Sequence, residues 1–257
     1  MNREQKIKTL LITKIREKLH NYNPETDNMP FHYRLLGKDR MALYSFVHSV
    51  STSLGQSIFE QVAVILAESL GHKAHHQYNL EGYISDKAVL VIDGIERGLK
   101  SCAQKPNSEA EFIEVEAVSQ SGDLGKIQKK KVDIFIESDD AEFYFELKTA
   151  KPNIAGFESV KKQLLQWVAL RTSKEKPAKK IHTIVAIPYN PYEPKPYSRW
   201  TLQGLFDLEK EVKVGQEFWD LVGGEGSYEK LLTCFEQAGV ELYDEIDQKM
   251  NSLKNKK

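Results

Sequence analysis

Apolar side chains recur along the 257-residue chain at two spacings, every third or fourth position and every second position. The first marks a helix face and the second one side of a strand. Ile7, Leu10, Leu11, Ile15 and Leu19 predict a helix over 3–20. The stretch 21–30, rich in Asn, Asp and Pro, reads as a loop. Leu43, Phe46, Val47 and Val50 predict a second helix over 40–51, broken at Gly55. A third, over 56–70, carries Ile58, Phe59, Val62, Ile65, Leu66 and Leu70 and is apolar enough to be largely buried. His72, His75 and His76 then fall in a polar turn, as solvated loop histidines. Ser85 is the expected N-cap of a helix to Lys100, and 102–108 is a loop. Residues 109–118 fit either period, with helix the preferred reading.

The alternation is clearest in KKKVDIFIESDDAEFYFELK, residues 129–148. Two short strands are separated by the polar break Ser138-Asp139-Asp140. Folding symmetrically about the Asp139–Asp140 bond sets Val132, Ile134 and Ile136 opposite Leu147, Phe145 and Phe143. That face is wholly apolar. On the other, Phe135 meets Tyr144, Glu137 meets Glu142 and Asp133 meets Glu146, with Lys148 projecting on the same side. Directly opposed Cβ atoms lie roughly 4.5–5.5 Å apart, where like charges repel. A hard divalent cation, Mg²⁺ first, offsets the repulsion between Asp133 and Glu146.

Beyond the hairpin, 149–156 is a loop and 157–172 a helix whose Gln163 and Gln166 face DNA or solvent. SKEKPAKK is a linker, and Ile181 to Pro188 a β-branched central strand. The Pro- and Tyr-rich segment 188–199 reads as a rigid loop, a place for DNA or dimer contacts, with Lys195 and Arg199 as its cations. The tail from about 200 to 252 reads as a helical appendage.

Composition narrows the class. No stretch approaches the ~20 apolar residues of a bilayer span, and the amphipathic N-terminus lacks a signal-peptide core. Two cysteines without CxxC spacing fit a reducing cytoplasm and argue against zinc. A net charge of −1 gives no global attraction to nucleic acid, so DNA binding must use local patches. Candidates are Arg34, Lys38 and Arg40; Lys174, Lys176, Lys179 and Lys180; and Lys126, Lys129, Lys130 and Lys131, which adjoin the acidic pair.

The spacing Asp133-x₁₂-Glu146-x-Lys148 resembles the signature of the PD-(D/E)xK nuclease superfamily, with Val132 in place of the Pro. The order of elements is similar to that superfamily's αβββαβ core, although the first core strand has no evident place in the sequence. The expected fold is therefore α/β, a mixed central sheet flanked by helices. It forms one nuclease domain over 1–257 with its core at about 52–190, extra N-terminal helices over 1–51 and the C-terminal appendage. In many such nucleases an acid from the helix before the sheet completes the metal site, which makes Glu60 a candidate. The bland alternative is a surface glutamate.

Longer segments carry a closer resemblance: FHYRLLGKDRMALYSF (31–46), LGQSIFEQVA (54–63), KKVDIFI (130–136), YFELKTAKPN (144–153), AIPYNPYEP (186–194) and EFWDLVGG (217–224). These look like the TdeIII family of type II restriction endonucleases. The resemblance implies a cytoplasmic, Mg²⁺-dependent bacterial enzyme cutting double-stranded DNA at a short symmetric site, with GGNCC associated with the family. It further implies a homodimer and a separate partner methyltransferase. Asp133, Glu146 and the Leu147 carbonyl become metal ligands, and Lys148 the catalytic cation. A PD-(D/E)xK nuclease of repair or recombination, and a non-catalytic DNA-binding module, are the competing classes.

Overall fold

The computed structural model describes residues 1–23, 28–148, 154–197 and 202–254. The chain divides into two compact units, Met1–Ile65 with Gly226–Lys257, and Leu66–Glu225.

In the first unit, α1 (Arg3–Asn21) opens on a capping box. The Asn2 side chain accepts the Gln5 N–H at 2.8 Å, and the Gln5 side chain accepts the Asn2 N–H at 3.3 Å. Its stripe buries Ile7, Leu11, Ile12 and Leu19. After α2 (Pro30–Leu36) and α3 (Lys38–Ser53), the expected break at Gly55 does not occur. Gly55 lies instead in a π-helical turn, Leu54–Ile58, that carries α3 directly into α4 (Phe59–Ser69). One helical glycine costs only about 1 kcal/mol, too little to stop a helix buried on one side. The division between the units falls within α4.

The second unit is built on a five-stranded sheet in the order β1-β2-β3-β4-β5. Its chain runs β1 (Lys73–Gly82), α5 (Asp86–Lys100), α6 (Ser108–Ser119), β2 (Gln128–Glu137), β3 (Ala141–Leu147), α7 (Ile154–Thr172), β4 (Lys180–Ile187), β5 (Val212–Val214) and α8 (Gln216–Gly223). The first three strands are antiparallel, and β4 and β5 continue in parallel. The remaining helices, α9 (Ser227–Glu241) and α10 (Tyr243–Lys254), pack on α1 and α3 in the first unit. The tail expected as one appendage is thus shared between the two units.

β1 is a strand that the sequence did not place. His75 and His76 lie in it, not in a turn. Only Ala74, Leu80 and Gly82 are buried along it, because it is an edge strand, so no period-two signal survives. Gly82 answers to packing: a side chain there would strike the Leu170 carbonyl of α7. Ser85 caps α5 as expected, accepting the Ala88 N–H at 3.0 Å, and 108–119 is helical.

Adjacent strand residues point to opposite faces. Phe135, Tyr144, Val185 and Ile187 pack with Ile92 and Ile95 of α5 and with Leu164, Trp167 and Val168 of α7. On the other face Phe145 meets Phe218 of α8, ring centroids 5.6 Å apart. The architecture is mixed α/β, a mixed sheet flanked by helices. A buried ionic group ties α6, α7 and the start of β5: Lys161, 1% exposed, reaches both Glu111 and Glu211, the latter at 2.7 Å. Burial pushes the Glu211 carboxyl up, against the pull of Lys161.

Candidate active site

The hairpin register follows the expected symmetry over four pairs, from Glu137↔Glu142 through Ile136↔Phe143 and Phe135↔Tyr144 to Ile134↔Phe145. The ladder then ends one step before Asp133 and Glu146. There the Asp133 carboxylate, through Oδ2, accepts the Leu147 N–H at 2.8 Å. The opposite neighbour changes at the same step. The β1–β2 ladder pairs His76 with Ile134 and Tyr78 with Val132 but is interrupted between them, where Gln77 takes φ +51°. A non-glycine residue in that region stores about 1–2 kcal/mol of strain. Val132, expected on the face of Ile134 and Ile136, packs instead in the cluster of Phe135 and Tyr144. The alternation switches sides at Asp133, so its side chain serves the strand end and not the ladder.

Glu146 is buried, and its two oxygens are held separately. Oε1 accepts Lys148 Nζ at 2.7 Å, and Oε2 accepts Gln163 Nε2 of α7 at 2.8 Å. The Lys148 N–H donates to the Ala186 carbonyl at 2.9 Å, anchoring the strand end to β4. Burial pushes the Glu146 carboxyl above its ordinary value, and the Asp133 charge pushes it further, against Lys148 and Gln163. Burial also raises Asp133, against the Leu147 N–H and the charges of Lys148 and Lys131. Both acids resist carrying their charges in this place.

The second acidic pair of the same hairpin is a built-in comparison. Glu142 accepts Arg171 at 2.7 and 2.9 Å and the Tyr144 hydroxyl at 2.6 Å. Glu137 meets Lys179 at 2.7 Å and Lys73 at 3.4 Å. Three cations thus offset the charges of Glu137 and Glu142. Among the described residues, the one cation in contact with the Asp133–Glu146 pair is Lys148. No group of three His, Cys, Asp or Glu able to hold a metal occurs among the described residues. The donor set on offer is two carboxylates, hard oxygens suited to Mg²⁺ and not to zinc.

The other candidates are placed as follows. Glu60 is buried on α4, on the part of that helix in the first unit, whereas Asp133, Glu146 and Lys148 belong to the second. Arg34, Lys38 and Arg40 are exposed, with an Arg40 guanidinium N–H donating to the Leu36 carbonyl at 2.8 Å. Lys129 and Lys131 are exposed, paired with Glu81 at 2.6 Å and Gln77 at 3.1 Å; Lys130 is half-buried. Lys195 is exposed, and Arg199 lies outside the described residues. Gln163, expected toward DNA or solvent, turns to Glu146. Its i, i+4, i+8 relation to Trp167 and Arg171 on one helix face was the signal available in the sequence. No described helix is long and apolar enough to cross a membrane.

Comparison with known proteins gives the family. The family model of the type II restriction endonuclease HinfI matches residues 1–239, whereas the sequence segments pointed to the TdeIII family. The type II restriction enzyme HgiEI of Herpetosiphon aurantiacus is 29% identical over 239 residues, spanning 90% of this chain and 85% of its own. HgiBI of the same organism is 29% identical over 231 residues, 87% and 82% of the two chains. MjaII of Methanocaldococcus jannaschii is 29% identical over 245 residues, 85% of this chain and 65% of its own. No solved structure matches the chain significantly. A family match over nearly the whole length settles the class: the chain belongs to the HinfI family of type II restriction endonucleases.

Proposed function

We propose that Asp133, Glu146 and Lys148 are the catalytic centre of a PD-(D/E)xK nuclease that hydrolyses phosphodiester bonds of double-stranded DNA at a short symmetric site. GGNCC is the sequence that the TdeIII resemblance implies. The observation that carries the reading is the uneven neutralisation of the two acidic pairs. Glu137 and Glu142 are matched by three cations in ion-pair contact, while Lys148, on Glu146, is the one such contact of the Asp133–Glu146 pair among the described residues. A site that gathers one buried and one half-buried carboxylate and gives them a single ion-pair partner fits a divalent cation. Asp133, Glu146 and the Leu147 carbonyl would hold it. When bound, such a cation polarises the scissile phosphate and lowers the pKa of a coordinated water.

The protein's own groups do the rest. Gln163 and Lys148 fix the two Glu146 oxygens, and the Leu147 N–H fixes Asp133. The Lys148 ammonium, half-buried beside them, is placed to stabilise charge accumulating on phosphate oxygens in the transition state. A symmetric duplex target calls for a homodimer, with a separate methyltransferase protecting host DNA.

Lys148→Ala and Asp133→Ala test the centre. Each variant, folded by circular dichroism, is expected to lose Mg²⁺-dependent plasmid cleavage by at least about 10²-fold. Cleavage at the wild-type rate by either one would overturn the assignment. Reading the fragment ends of a wild-type digest gives the recognition sequence and the cut position.

A further inference from the structure

The bond between Gln163 and Glu146 rests on a match of lengths. From Gln163 to Arg171 along α7 is eight residues, about 12 Å of helix. From Glu142 to Glu146 along β3 is four residues, about 13 Å of strand. The helix and strand run past each other so that Arg171 grips Glu142 at one end, and Gln163 meets Glu146 at the other. Trp167, one turn from each, is buried in the same core as Tyr144, which lies between the two glutamates. The bidentate arginine and the buried face of α7 both fit this alignment, and the alignment delivers an amide to Glu146. A carboxylate oxygen only accepts, so the group facing it is the Gln163 NH₂, a donor.

We infer that Gln163 is a positioning residue of the nuclease centre: its amide, placed by the packing of α7 along β3, holds one Glu146 oxygen so that the carboxylate is pre-set to receive the cation. The inference rests on the nuclease reading above and deepens it. Ordering an oxygen ligand before the cation arrives reduces the entropy lost on binding, and partners of this kind change metal affinity by about 10–100-fold. A methionine at 163 keeps the length of the side chain and removes the donor. An asparagine keeps the amide but draws it back by one methylene.

The test compares wild type, Gln163→Met and Gln163→Asn in three measurements: plasmid cleavage across a Mg²⁺ series, Mn²⁺ binding to the DNA-free protein by electron paramagnetic resonance, and a duplex band shift in EDTA. Both variants are expected to need about tenfold more Mg²⁺ and Mn²⁺ for half-saturation. Their cleavage deficit should narrow as Mg²⁺ is raised, and their band shift should match wild type. Unchanged Mg²⁺ and Mn²⁺ dependence in a variant that melts like wild type overturns the inference while the nuclease reading stands. A weakened band shift with normal Mn²⁺ binding makes Gln163 a DNA contact and overturns it equally. Should the methionine variant fail to fold, the asparagine variant decides. If wild type itself neither cuts nor binds Mn²⁺, the nuclease reading fails first.

Discussion

At the scale of single residues, burial works against the charges of the acidic pair. Asp133 and Glu146 both titrate above their ordinary values of 3.8 and 4.5, chiefly because burial penalises their charges. A carboxyl raised in the folded state binds more protons folded than unfolded. Stability therefore falls as pH climbs from those ordinary values to the raised ones, and then levels off. Asp133→Asn keeps an oxygen able to accept the Leu147 N–H and removes one of the two charges. In EDTA at neutral pH this variant is expected to melt higher than wild type, a gain of about 1 kcal/mol reading as roughly 2–4 °C. The same change should abolish cleavage. A lower melting temperature in EDTA would show that the Asp133 charge is satisfied without a cation.

Elements explain why the carboxylates stand where they do. The hairpin register is written in the alternation Val132-Asp133-Ile134-Phe135 against Phe143-Tyr144-Phe145-Glu146, and four of the pairs it implies are present. What the alternation could not give is the switch of sides at Asp133, which depends on Gln77 of the neighbouring edge strand. Nor could it show that α7 places Gln163 and Arg171 on β3, since helix–strand alignment is a matter of packing across some twenty residues of chain. The Arg171–Glu142 clamp has a pH signature of its own. Burial alone would raise the Glu142 carboxyl, but hydrogen bonds from Arg171 and Tyr144 outweigh it and hold the group below its ordinary 4.5. A depressed carboxyl contributes stability above 4.5 that is lost as pH falls through the folded value. Arg171→Met should cost about 2 kcal/mol at neutral pH, less than for a fully buried pair because Arg171 is half-buried beside the buried Glu142. Its deficit relative to wild type should shrink on acidification, because the stranded Glu142 can then protonate. Urea unfolding at pH 7 and pH 4 measures both, and a deficit independent of pH would show that Arg171 stabilises by packing alone.

For the whole molecule, a net charge of −1 leaves DNA attraction to local patches. Lys129, Lys130 and Lys131 stand at the start of β2, within four residues of Asp133. If the backbone of the duplex runs past this strand end, replacing all three by alanine weakens binding to every duplex, cognate or not, and flattens its salt dependence. Each lost phosphate contact lowers the slope by about 0.9. Band shifts in EDTA across a salt series provide the check, and an unchanged slope would remove the patch from the DNA surface.

The sequence by itself determined the helices with a clear stripe and the hairpin with four pairs of its register, and it singled out Asp133, Glu146 and Lys148 as candidates, because each rests on spacing within one short stretch. It also carried the restriction-endonuclease class, through long segments that no single motif could match. Tertiary structure decided the rest. β1 was hidden because an edge strand buries too few side chains to leave a period, and β5 because three residues hold none. The terminal helices proved to share one unit since their apolar stripes need partners that lie far away in the chain. The role of Gln163 emerged for the same reason: a polar side chain on a helix has no direction until the packing of its neighbours gives it one.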